Sequence, residues 1–134
     1  LFNGNISNWD VSSGTRMDFF FFNCAAFNQD IGSWDVSNVT TLNKMFQGAS
    51  LFNQNIGAWD VSSCTVFTSF MLSATSASFS TANLDAIYNG WSLLTLSANE
   101  TITFGSAKYS AAGVAGRAVL TSAPNNWTIT DGGL

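Results

Sequence analysis

Apolar and polar positions along the first half of the chain recur with a 25-residue period. The units are residues 2–26, 27–51 and 52–76, and each carries Phe-Asn at its start, then Ile, Trp-Asp-Val-Ser and Thr at fixed offsets. In the middle unit these are Phe27, Asn28, Ile31, Trp34, Asp35, Val36, Ser37 and Thr40. A period of this length lies in the range of stacked repeat architectures and below that of propeller blades. Within a unit, Trp34 and Val36 flank Asp35, the alternation of a short strand with its apolar face inward. Leu42, Met45, Phe46 and Ala49 then follow at i, i+3, i+4 and i+7, the stripe of a short helix. The third unit repeats the stripe with Phe67, Phe70, Met71 and Ala74.

The pattern predicts an α/β solenoid with one short strand and one short helix per coil, its strands forming a parallel sheet. A single unit cannot bury its apolar face, so stability must come from stacking. Trp9, Trp34 and Trp59 are then core columns with Ile6, Ile31 and Ile56. Asn3, Asn28 and Asn53 fall at a bend, where their side chains can satisfy the backbone of the neighbouring coil.

Beyond residue 76 the period breaks. Ser80 and Thr81 precede Leu84, Ile87, Tyr88 and Trp91 at helical spacing, residues 100–104 alternate, 109–120 are Ala-rich, and 126–130 read as a last strand. A helix–strand–helix–strand segment over 77–134 is expected to cap the stack of residues 1–76, the whole forming one domain. The chain reads as a piece of a longer one.

The motif set Phe27-Asn28-Gln29, Ile31, Trp34-Asp35-Val36-Ser37, Val39-Thr40, Met45-Phe46 and Ala49 resembles the BspA-like class of leucine-rich repeats, in its ~25-residue bacterial surface-protein and lipoprotein subgroup. The resemblance covers residues 2–76, and residues 109–133 resemble segments that end such arrays. It implies a right-handed strand–helix solenoid on a cell or virion surface, used for adhesion or recognition. It brings no fixed site. Unit one departs from the pattern, with Gly14 at the Val39 position and four Phe, 19–22, in the helical phase.

Composition narrows the functional classes. Charged residues make up 9% of the chain, against roughly a quarter in ordinary globular proteins. Four basic residues and a net charge of −4 leave no basic patch for nucleic acid or an anionic membrane. No apolar run approaches the length of a membrane span. With no His, and no nucleophile or phosphate-loop motif, the chain reads as a non-enzyme without cofactor or metal. Cys24 and Cys64 lie at different phases about two coils apart, too far for a disulfide, and read as free thiols.

Asp10, Asp35 and Asp60 form a column for which three readings stand: turn caps, a ligand or Ca²⁺ ladder, or a catalytic carboxylate pair. With Ser7, Asn8 and Ser33 they mark the expected ligand face. Phe19 and Phe22 occupy outward helical positions and mark an expected interface. The function implied is extracellular recognition or adhesion toward a protein or glycan. The rival readings are an assembly module, as in a surface layer or phage appendage, self-associating through an open N-terminal edge, and a carbohydrate-active enzyme.

Overall fold

The computed structural model describes residues 1–134. Its regular elements all lie after residue 80: helix α1 (Thr81–Trp91), strand β1 (Thr101–Thr103), a short 3-10 turn (Ala111–Gly113), helix α2 (Val114–Thr121) and strand β2 (Thr128–Thr130). The strands pair in parallel, Thr101 opposite Thr128 and Thr103 opposite Thr130, as one open two-stranded sheet.

The expected leucine-rich-repeat-like solenoid, with a strand and a helix in each coil, is not formed. Residues 1–80 contain neither element, only isolated bridges such as Arg16 to Thr41 and Thr41 to Val66. The repeats are built from successive β-turns. In the middle unit the amides of Trp34, Val39, Met45, Gln47 and Ala49 each donate to the carbonyl three residues earlier. Turn corners bring Ile31, Trp34, Val36, Val39, Leu42, Met45 and Phe46 inside, so an apolar stripe spaced three and four residues apart forms without a helix.

Competition for backbone donors explains the difference. A helix commits every N–H to its own i−4 carbonyl. Here alternate amides cross to the next repeat: Met17, Phe19, Phe21 and Asn23 donate to Thr41, Asn43, Met45 and Gln47 at 2.8–3.0 Å. The amides of Phe20, Phe22 and Cys24 close turns within the unit. Leu42, Lys44 and Phe46 donate to Val66, Thr68 and Phe70 in the same way. The alternation needs a left-handed residue in each unit: Phe19, Lys44 and Ser69 sit at φ 58°, 55° and 56°.

Side chains complete the register. Asn3 Oδ1 accepts from the Asn28 amide, Asn28 Oδ1 from that of Asn53, and Asn53 Oδ1 from that of Ser80, each at 2.9 Å. The phenyl rings of Phe2, Phe27, Phe52 and Phe79 stack at 6.0, 5.9 and 6.5 Å between centroids. Each indole reaches back one unit: Trp34 Nε1 donates to Ile6 O and Trp59 Nε1 to Ile31 O. Trp91, at the end of α1, continues the series onto Ile56 O.

That backward reach corrects a second expectation. Trp34 and Trp59 are buried, at 4% and 1% exposure, but Trp9, whose indole reaches back to no carbonyl among residues 1–134, is 54% exposed. Phe20 is likewise 43% exposed, although Met45 and Phe70 at its phase are fully buried.

At the other end, Ser80 caps α1 through the Asn83 amide, and Leu84, Ile87, Tyr88 and Trp91 face the core. Phe67 and Phe70 pack on Trp91, Trp127 and Phe104. The Met71 amide donates to Thr103 O, and the Phe104 amide to Thr130 O, tying the third unit to β1 and β1 to the β2 end.

Candidate functional site

Two turns in each unit are closed by a side chain. In the first, Asn5, Asp30 and Asn55 accept through Oδ1 from the amides of Ser7, Gly32 and Gly57 at 3.0, 2.9 and 2.9 Å. In the second, Asp10, Asp35 and Asp60 accept from the amides of Ser12, Ser37 and Ser62 at 3.1, 3.0 and 3.0 Å. These are Asx turns, in which the carboxylate or amide oxygen replaces a backbone acceptor. The Ser12 and Ser37 hydroxyls add 2.6 Å bonds to the same oxygens. Those hydroxyls, and after them the amides, hold the Asp10 and Asp35 carboxyls below the usual Asp range. For Asp35, burial and the neighbouring Asp10 charge work the other way.

All three Asp side chains are exposed, and each is bonded within its turn through Oδ1 alone. They form one row across the repeats. Asn8 and Ser33 make a parallel exposed row at a shared phase. Ser7 does not join it: one position earlier in phase, it is half-buried with its hydroxyl turned onto Asn5 Oδ1 at 2.8 Å. Thr15, Thr40 and Thr65 form a further exposed row, with Thr40 Oγ1 bonded to Thr15 O at 3.0 Å. The result is an anionic, hydroxyl-rich side surface whose side chains repeat once per unit. No three His, Cys, Asp or Glu side chains converge as a metal-binding group.

Phe19 and Phe22 contact each other edge to face at 5.5 Å, both partly exposed. Phe19 also carries Lys44 Nζ over its ring at 5.3 Å, so this pair lies on the flank of the first two units. The exposed aromatics at core phases are Phe2, Trp9 and Phe20. Cys24 and Cys64 are free thiols, the first half-buried and the second buried. No helix is long and apolar enough to cross a membrane.

Sequence reasoning missed a polar cluster in the C-terminal segment. Asp131 Oδ2 accepts from the Tyr88 hydroxyl and, at 2.8 Å, from Arg117 Nε, while its Oδ1 takes the Gly133 amide. The Arg117 guanidinium lies 5.3 Å from the Tyr109 ring centre. Burial, and then the Asp131 carboxylate, push the Tyr88 hydroxyl far above its usual range, so it stays a donor. Asp85, also buried, takes the Ser110 amide and hydroxyl at 2.9 and 2.6 Å. Both carboxylates are hydrogen-bonded within their own chain and clamp α1 to the 3-10 turn, α2 and the C-terminal tail. With Tyr88 and Asp131 43 residues apart, no local spacing could have revealed the cluster.

The family described as "Mycoplasma protein of unknown function, DUF285" matches residues 1–85, more than half of the chain. The leucine-rich-repeat resemblance read from the sequence is thus replaced by this coarser assignment. No curated protein and no solved structure matches the chain.

Proposed function

The chain belongs to the DUF285 family, and from that premise we propose a non-catalytic recognition or adhesion module that works outside the cell. Its ligand face is the side surface lined by Asp10, Asp35 and Asp60, with Asn8 and Ser33 beside them. The partner is a protein or glycan that presents cationic or hydrogen-bond-donating groups at a repeated interval. The BspA-like resemblance of residues 2–76 supports the surface setting.

One observation carries the reading. The two Asx turns of each unit ask the same thing of their first residue, a side-chain oxygen for the amide two positions on. At the first turn Asn and Asp serve interchangeably, as Asn5, Asp30 and Asn55. At the second turn the residue is Asp in all three units, although Asp10 and Asp35 repel each other. Turn geometry does not demand that charge, so the charge is there for something outside the turn. Catalysis needs a special pair; a row with one carboxylate in every unit suits an extended partner.

The test is the triple variant Asp10→Asn, Asp35→Asn, Asp60→Asn, screened beside the parent on glycan and protein arrays. Asn retains the turn acceptor, so circular dichroism and melting temperature should be those of the parent. A ligand held by the parent and lost by the variant supports the proposal. One retained undiminished by the variant would place recognition elsewhere.

A further inference from the structure

The dipeptide Asn-Gly occurs twice, as Asn3-Gly4 and Asn89-Gly90, in opposite surroundings. Gly90 lies inside α1, where an amide is committed to the carbonyl four residues earlier, and Asn89 Nδ2 is tied to Ala112 O at 3.0 Å. The Gly4 amide donates to nothing. That freedom belongs to the phase: the Gln29 and Gln54 amides, at the same position of the next two units, also donate to nothing. Asn3 is exposed, and so is Asn28 at its phase.

Gln29 turns this open dipeptide into a built site. Its Nε2 donates to Asn3 Oδ1 at 2.9 Å and to the Asn3 main-chain carbonyl at 3.2 Å. The Asn28 amide adds a second 2.9 Å bond to Oδ1. Two donors thus stand where negative charge grows when a nucleophile attacks Cγ. The main-chain carbonyl shares its peptide unit with the Gly4 nitrogen, so a donor on its oxygen favours loss of the Gly4 N–H proton. Gln54 holds Asn28 in the same way, at 2.8 and 3.0 Å, but the nitrogen that follows belongs to Gln29 and is crowded by a side chain. The backbone does not require glycine at position 4. A Cβ there would meet only ring carbons of Phe2, the nearer at 3.2 Å.

We propose that Asn3 is a self-modification site: the Gly4 nitrogen closes on the Asn3 side chain and expels ammonia, with Gln29 as the positioning residue. The Gly4 nitrogen gives its proton to water and attacks Cγ. The N–Cγ bond forms, the Cγ–Nδ2 bond breaks, and Nδ2 takes up a proton and leaves as ammonia. Water then opens the five-membered imide at either carbonyl. Opening at Cγ gives Asp at position 3, and opening at the main-chain carbon gives isoaspartate, with the backbone routed through Cβ and Cγ. The Asp product keeps the oxygen that accepts the Asn28 amide and adds a negative charge. The isoaspartyl product displaces that oxygen, so the side-chain link between the first two units opens. The chemistry is independent of the Asp row and of any ligand held there.

The experiment incubates the parent chain, Gly4→Ala and Gln29→Leu at neutral pH, each folded and in urea. Peptide mass mapping follows every Asn, and enzymatic methyl transfer marks isoaspartate. Asn3 of the parent should convert faster in the folded chain than in urea, while Asn89 persists over the same period. Gly4→Ala should slow folded Asn3 by about tenfold or more, because a side chain now crowds the nitrogen. Gln29→Leu should slow it by about three- to tenfold when folded and not at all in urea, less than the hundredfold of an enclosed oxyanion donor because this site is open to water. A lost packing contact would not produce that split. In the isoaspartyl fraction the Asn28 amide should exchange faster than in the parent. Conversion of parent Asn3 no faster when folded than in urea overturns the proposal, and that comparison does not depend on either variant folding. A Gln29→Leu rate equal to the parent's, or conversion of Asn89 as fast as Asn3, overturns it as well.

Discussion

Trp9 and Trp34 occupy the same phase of the repeat, so truncating each to Ala separates residue identity from stacking. Trp34 is 4% exposed, lies 6.0 Å from the rings of both Phe20 and Phe21, and donates to Ile6 O at 3.2 Å. Trp34→Ala removes a buried aromatic, a change that costs about 3–5 kcal/mol in cores, and strands the Ile6 carbonyl. Trp9 is 54% exposed and makes no indole hydrogen bond. A Trp side chain buries roughly 200–250 Å² when fully enclosed, so half of one corresponds to about 100–125 Å². At about 25 cal/mol per Å², that half is worth roughly 3 kcal/mol. Trp9→Ala should therefore cost about 1–2 kcal/mol and Trp34→Ala about 3 kcal/mol more. Urea titration followed by far-ultraviolet circular dichroism gives both values, provided the m-values agree. A net stability of 5–15 kcal/mol leaves Trp34→Ala measurable, at a much lower midpoint. Costs equal within about 0.5 kcal/mol would refute the claim that each indole is buried by the unit before it.

Other perturbations separate turn, packing and thiol chemistry. A methyl group at Gly90 would land on the Gly57 carbonyl oxygen, so Gly90→Ala should destabilise by about 1–3 kcal/mol, although helix propensity alone favours Ala by about 1 kcal/mol; a raised melting temperature would refute the close approach. Asp35→Ala should lower the melting temperature while Asp35→Asn does not, since only Ala lacks the acceptor for the Ser37 amide; calorimetry on the pair decides it. Burial pushes the Cys64 thiol up to about 11, so it stays protonated when folded and ionises first in the unfolded chain. Its contribution to stability is therefore complete below the ordinary thiol range, near pH 8.5, and is lost as pH rises toward 11. Disulfide-exchange titration at pH 8 should modify Cys24 in the native chain and Cys64 only in denaturant, and Cys64→Val should flatten the alkaline decline; immediate reaction of both thiols would contradict the burial.

Which residues enter the core was legible, because copies of one unit must present the same face to their neighbours. Ile31, Trp34, Val36, Leu42, Met45 and Phe46 are all buried, and the Asn column was visible as the device that links units. The path of the chain between those residues was not legible. Spacing of three and four residues is shared by a helix and by a run of β-turns, and the choice lies with the amides that cross to the next unit. No local signal marks Phe19, Lys44 and Ser69 as left-handed, since the usual Gly or Asn is absent. Trp9 was misplaced because identical letters were given identical surroundings, whereas the direction of the indole makes the first copy different. Trp91 and Phe79 carry the Trp and Phe series past the last repeat with longer intervals, and a fixed period could not find them.

The left-handed residues also show why fold and recognition can occupy separate parts of the same unit. Holding Phe, Lys or Ser near φ 56° costs on the order of 1 kcal/mol per residue. At Phe19 and Lys44 the compensation is the crossing amide of that same residue, to Asn43 O and Thr68 O. At those two positions conformation is thus set by the adjoining unit through the backbone, so side chains as different as Phe and Lys occupy the same phase. The same holds at the Asx turns, where the backbone asks for one oxygen and is indifferent to charge. A unit whose shape is imposed by its neighbours can vary its outward residues at little cost to folding. It also cannot keep that shape alone, so loss of one layer should loosen the next, and positions whose outward chemistry nonetheless stays constant, such as Asp10, Asp35 and Asp60, are where an external partner has to be sought.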